Sequence, residues 1–136
     1  MLGDIETLIP HRAPIRFIEA LTDCKDTSAR ATACFTSDHF AVTNGAVLET
    51  ALIECVAQTG AAALGHRAGA SGKTGAANNG MLAAVSNFNI HSPPPLDQLL
   101  TIEVREVKRL GPMLLIAGTI SCADQLVASG ELSLYA

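Results

Sequence analysis

Residues 44–65 read NGAVLETALIECVAQTGAAALG, and the reading of this stretch decides the fold. Asn44 is a favourable N-cap, Glu49 suits the positive end of a helix dipole, and Gly65 suits a helix terminus. The pattern predicts one helix over Ala46–Leu64, 19 residues and roughly 28 Å long. Its circumference is apolar on nearly every side, which places it inside a protein or a membrane. Glu49, Glu54 and Gln58 would be costly in hydrocarbon, so the membrane reading fails and the rest of the chain must wrap the helix.

The polar exceptions on this helix carry the chemistry. Steps of four and three put Val47, Ala51, Glu54, Gln58 and Ala61 on one face. Glu54 and Gln58 are therefore neighbours one turn apart, whereas Glu49 lies about 140° round the axis from Glu54. Two readings of Glu54 stay open: a structural carboxylate bonded to a loop or an arginine, or a catalytic acid in an apolar setting.

A chain of 136 residues makes one domain, 1–136, with room for a sizeable core. Apolar residues make up 49% and charged residues 16%, which predicts further apolar surface hidden by association, at least a homodimer or a higher even oligomer. A net charge of −4 disfavours nucleic acid as a partner. No basic leader followed by an apolar run opens the sequence, so cytoplasmic location is the expectation. Cys24, Cys34, Cys55 and Cys122 are scattered without metal-ligand spacing, which argues against zinc and against a disulfide framework.

Upstream of the helix, Gly3–Leu8 allows one helical turn, with Asp4 and Glu6 at its start and Pro10 after it. Ile15, Phe17 and Ile18 alternate into a strand, Asp26–Ser28 form a turn, and Ala29–Phe35 form a second strand. Residues 36–45, TSDHFAVTNG, form a loop leading into the helix. Downstream, HRAGASGKTGAANNG at 66–80 predicts an exposed loop. Its SGKT at Ser71–Thr74 invites a phosphate-loop reading, but Arg67 stands where that motif needs glycine, and a helix leads in where a strand is required. Strands then follow at Met81–His91, around Leu100–Arg105, at Met113–Ser121 and at Leu126–Tyr135, with bends at Pro93–Pro95 and Gly111–Pro112. Two strands, a long helix and three or four further strands give an α+β chain, an antiparallel sheet of five to six strands curled round one helix.

Four strings give this chain a resemblance to the hot-dog-fold 3-hydroxyacyl-acyl-carrier-protein dehydratases, including their diverged aryl-polyene-type branch. Ile9-Pro-His-Arg-Ala-Pro-Ile15 is similar to that family's Leu-Pro-His-Arg-x-Pro segment. Ile53-Glu-Cys-Val-Ala-Gln58 resembles its helix signature Ile-Glu-Ala-Met-Ala-Gln. Phe88-Asn-Ile-His-Ser-Pro running to Asp97-Gln-Leu99, and Leu126-Val-Ala-Ser-Gly-Glu-Leu132, resemble its later strands. The family's Gly-His-Phe-Pro is matched only by His39-Phe40, without the glycine and the proline, and His39 stands fifteen residues before Glu54, one more than the family's usual spacing.

The resemblance implies dehydration of a 3-hydroxyacyl thioester, carried by acyl carrier protein or coenzyme A, to a trans-2-enoyl thioester in fatty-acid or polyene-type synthesis. It implies His39 as base and Glu54 as acid, contributed by opposite protomers. Substrate contacts would come from Gly45, Ala46 and Val47, at the expected helix start, and from Gln58. No metal or organic cofactor is implied beyond the substrate's own phosphopantetheine arm. Arg12, Arg16, Arg67, Lys73 and Arg109 are candidates to meet an acidic carrier protein. His11 reads as a packing or capping residue of its segment, His66 as a partner of the helix's negative end, and His91 as structural. The alternatives are an acyl-thioester hydrolase and a non-catalytic partner that completes a heterodimer with an active hot-dog subunit.

Overall fold

The computed structural model describes residues 2–70 and 81–135. A short helix α1 (Ile5–Leu8) precedes strands β1 (Ile18–Cys24) and β2 (Ser28–Ala33). A small hairpin, β3 (Val42–Thr43) and β4 (Ala46–Val47), leads into the long helix α2 (Glu49–Ala70). Strands β5 (Met81–Ile90), β6 (Leu100–Leu110), β7 (Met113–Cys122) and β8 (Gln125–Tyr135) complete the chain.

The six long strands form one antiparallel sheet in the order β1-β2-β6-β7-β8-β5. Helix α2 contacts all six of them, as a sheet curled round a central helix must. This is the hot-dog architecture. Alternation sets the inner face of β6: Leu100, Ile102 and Val104 are buried while Glu103 and Arg105 face solvent. On β7, Leu114, Ile116 and Ile120 point the same way as Gly118. A methyl group at Gly118 would run into Val56 of α2, so this glycine lets the helix settle onto the sheet. The helix answers with small residues, Ala51, Ala57, Ala61, Ala62 and Ala63, all buried. No helix of the described residues is long and apolar enough to cross a membrane.

The helix boundaries differ from the sequence expectation at both ends. Asn44 does not cap α2. It has φ 52° and Gly45 has φ 75°, and the two form the turn of the β3–β4 hairpin, in which Thr43 faces Ala46. Asn-Gly is a strong signal for such a turn because both positions need positive φ. The helix starts five residues later, with Glu49 in its first turn. At the other end Gly65 does not terminate the helix, which runs on through His66 and Arg67 to Ala70. Gly65 is instead where α1 crosses, since a Cβ there would strike the carbonyl of Leu8. Arg67 fastens the extra turn: its Nε donates to the Lys25 carbonyl at 2.9 Å, and its Nη1 lies 3.8 Å from Glu106 Oε2. The first five residues of the expected loop are thus helical, while the SGKT string and Lys73 lie outside the described residues.

Candidate active site

The carboxamide of Gln58 organises the region around Glu54. Gln58 is fully buried, and every polar atom of its side chain is engaged. Its Oε1 accepts from the backbone N–H of Phe17 at 2.8 Å and, more weakly, from that of Ile18 at 3.4 Å. Its Nε2 donates to the Ile15 carbonyl at 2.9 Å and to Glu54 Oε2 at 3.1 Å. The neighbour relation expected from the four-residue spacing is therefore a hydrogen bond. The same amide also ties the 15–18 strand entrance to the helix. With its hydrogen-bonding capacity engaged inside the chain, Gln58 orients the carboxylate, and the expectation that it contacts substrate finds no free atom.

Glu54 is less enclosed than expected, because its side chain keeps 30% of its exposure. Among the described residues no arginine pairs with it, its nearest polar neighbour on the helix is Gln58, and the loop that the first reading allowed is present as the segment carrying His11. Its second neighbour is His11, whose Nε2 lies 3.8 Å from Oε2. His11 arrives on the segment between α1 and β1. That segment is held by Arg12, whose Nη1 donates to the carbonyls of Ile9 and His11, each at 2.9 Å. Glu6 takes both guanidinium groups of the segment, 3.5 Å from Arg12 and 3.8 Å from Arg16. The signal for His11 was present in the Pro-His-Arg string. Its approach to Glu54 was not legible there, because the two residues are 43 positions apart and meet only through the loop.

His39 sits in a separate aromatic cluster. Its ring stacks on Phe40, with centroids 5.0 Å apart, and meets Phe35 edge-on at 5.0 Å and Phe17 at 5.6 Å. Its Nδ1 accepts from the backbone N–H of Ala41 at 3.0 Å. An N–H can only donate, so in the neutral ring the proton resides on Nε2. His39 as placed offers a donor at its free nitrogen, not the lone pair that a base requires. Among the described residues no hydrogen bond or ion pair joins His39 to Glu54. The connection runs through Phe17, whose N–H binds Gln58 and whose ring touches His39.

Gly45, Ala46 and Val47 are not at the start of α2, contrary to expectation. They belong to the hairpin, with Ala46 facing Thr43 and Val47 facing Val42, so the helix dipole does not act through their amides. Among the described residues no group of three His, Cys, Asp or Glu side chains is arranged to hold a metal ion. Cys55, directly after Glu54, is fully buried, and desolvation followed by the Glu54 charge pushes its thiol far above the usual range. It is an inert packing residue. His91 contacts Ser129 Oγ at 2.7 Å on the β8 side of the sheet.

The comparisons with known proteins bear on this arrangement. The profile of the ApeP-like family, ApeP dehydratase, matches residues 3–136. The chain belongs to the ApeP-like dehydratase family. Its fold is similar to that in the structure of the dehydratase heterocomplex ApeI:P from Xenorhabdus doucetiae, with a TM-score of 0.87 over 98% of this chain and 90% of that one, at 19% identity. Two further hot-dog structures are more distant. The PaaI protein of E. coli gives a TM-score of 0.66 at 11% identity, covering 85% of this chain and 81% of that one. A hypothetical thioesterase with coenzyme A from Streptococcus pneumoniae TIGR4 gives 0.65 at 14% identity, covering 85% and 86%. No curated protein matches the sequence. The match to the ApeP-like family spans all four strings that carried the sequence resemblance.

Proposed function

We propose that this chain is a subunit of a 3-hydroxyacyl-thioester dehydratase in which Glu54 is the acid that expels the hydroxyl group. The observation that carries this reading is the Glu54 carboxylate on the central helix of an ApeP-like chain, oriented by the buried Gln58 amide and still open to solvent on one side. In the reaction a base removes the α-proton, and the electron pair moves towards the thioester carbonyl. As the α,β double bond forms, the β-carbon–oxygen bond breaks, and the departing hydroxyl takes a proton from Glu54 to leave as water. The weak acidity of the α-carbon requires both a positioned base and a donor at the developing enolate oxygen. His39 with its proton on Nε2 suits the donor. Acting as the base would require the opposite tautomer and loss of the Ala41 bond.

A second subunit completes this scheme. Strand β5 lies at the sheet edge and exposes Met81, Val85 and Ile90, a surface suited to pairing with another hot-dog chain. As a homodimer, the chain would bring His39 of one protomer towards Glu54 of the other. A second reading, a heterodimer whose other hot-dog subunit supplies the base, is favoured by the His39–Ala41 bond and by the heterocomplex to which the fold is similar. The substrate arm would be phosphopantetheine, on acyl carrier protein or coenzyme A.

The test measures trans-2-enoyl thioester formation by the chain alone and by the chain co-expressed with a hot-dog partner. Glu54→Gln is expected to lower turnover by about 10²–10⁴-fold, since the amide keeps the shape but cannot deliver a proton. Full activity in that variant removes Glu54 from the reaction. Release of free acid and thiol in place of enoyl thioester would assign the hydrolase activity instead.

A further inference from the structure

We infer that His11 is a positioning residue for Glu54 within the same chain, selecting which carboxylate oxygen faces the substrate; this rests on the dehydratase reading above. Both neighbours of the carboxylate address one oxygen. Gln58 Nε2 donates to Oε2 at 3.1 Å, and His11 Nε2 lies 3.8 Å from that same Oε2. With the Gln58 bond on Oε2 and the His11 ring facing that same oxygen, Oε1 is left as the oxygen that carries and releases the transferable proton. A carboxylate presents only lone pairs to a neighbour, so for the neutral His11 ring to bond Oε2 its proton must stand on Nε2. Its Nδ1 is buried and has no hydrogen-bond partner among the described residues, so the ring's polar business is with Glu54 alone.

The placement of His11 is built, not incidental. Arg12 closes on the His11 carbonyl from one side, and Gln58 holds the Ile15 carbonyl and Phe17 N–H from the other. The segment thereby reaches the helix at the turn that carries Glu54. Stability does not account for this arrangement. The two side chains keep 26% and 30% of their exposure, and pairs this open contribute little to folding. A separation of 3.8 Å is beyond hydrogen-bond reach, and such contacts tighten when substrate closes the site.

The experiment uses the full chain, with its partner subunit if turnover requires one. His11→Ala is expected to lower kcat by about 10–100-fold, the cost of a misplaced reacting group, with KM changed by less than about twofold. His11→Gln, whose amide N–H reaches the same oxygen, is expected to restore kcat to within about threefold. In a Glu54→Gln background His11→Ala should cause no further loss, because the two act as a unit. Wild-type kcat in His11→Ala, no rescue by His11→Gln, or a loss that multiplies on that of Glu54→Gln each overturns the inference. A readout independent of turnover separates its failure from that of the functional reading. Side-chain couplings measured by NMR should show one Glu54 rotamer in the wild type and in His11→Gln, and averaging in His11→Ala. Averaging already in the wild type, or none in His11→Ala, refutes the positioning role even if the chain proves inactive on thioesters.

Discussion

Replacing Gln58 by leucine should uncouple the 15–18 segment from the central helix, with an effect that can be worked from the structure. The side chain is fully buried, so no water waits to take over its four contacts. The Phe17 N–H, bonded at 2.8 Å inside the core, loses its acceptor outright. The Ile15 carbonyl, bonded at 2.9 Å on a residue that is 56% exposed, can turn partly to solvent. An orphaned buried backbone group costs about 1–3 kcal/mol, and the second, partly relieved group costs less. The apolar side chain that replaces the amide offsets part of this, about 1–2 kcal/mol for burying a leucine in place of a polar group. A net loss of about 2 kcal/mol remains, read as a lower midpoint in urea at fixed protein concentration with unchanged slope. Hydrogen exchange at the Phe17 amide supplies the local check, since its protection should fall towards that of a surface amide. A variant within about 0.5 kcal/mol of the wild type, with the Phe17 amide still protected, would show that other contacts anchor the segment and would refute the reasoning.

Gly65→Ala should destabilise the chain by about 1–3 kcal/mol, because the new methyl meets the Leu8 carbonyl. Gly69→Ala, on the same helix with open space around it, should instead stabilise by up to about 1 kcal/mol, and paired urea titrations compare the two. Cys55, with its thiol raised by burial, should resist thiol reagents at pH 8 until the chain unfolds, and labelling in native buffer would contradict this. Because the folded thiol holds its proton while the unfolded one ionises near 9, stability should fall above that pH by at most about 1.4 kcal/mol per unit from this group. Val85→Asp on the exposed edge strand β5 should shift a sedimenting dimer to monomer; a wild type that is already monomeric at micromolar concentration removes the edge-pairing argument.

The long apolar helix, the strand order after it and the pairing of Glu54 with Gln58 were legible from residue spacing, because helical periodicity and strand alternation act over a few residues. The α1 turn was legible for the same reason, with Asp4 accepting from the Glu6 N–H as an N-cap does. The start of α2 departs from the sequence expectation although its signal is local. Asn44-Gly45 serves equally as a helix approach and as a hairpin turn, and the hairpin prevailed because β3 and β4 pair across it. The far end of α2 was not decidable locally, since Gly65 and Gly69 each offer a place for a helix to end. Its extra turn is held by Arg67 on the carbonyl of Lys25, 42 residues earlier in the chain.

The site divides along the same line. The sequence by itself determined that a carboxylate and a carboxamide share one turn of a buried helix, since covalent spacing and helix pitch leave no other outcome. Only the tertiary structure decided what faces them. The Ile9–Phe17 segment folds back across more than forty residues to bring His11 to Glu54 and to place its own backbone on Gln58. His39, the residue that the motif favoured, is drawn into an aromatic cluster, and its Nδ1 is engaged by the Ala41 N–H. Such contacts depend on how the loop crosses the sheet and packs, a property of the whole core that no local spacing encodes.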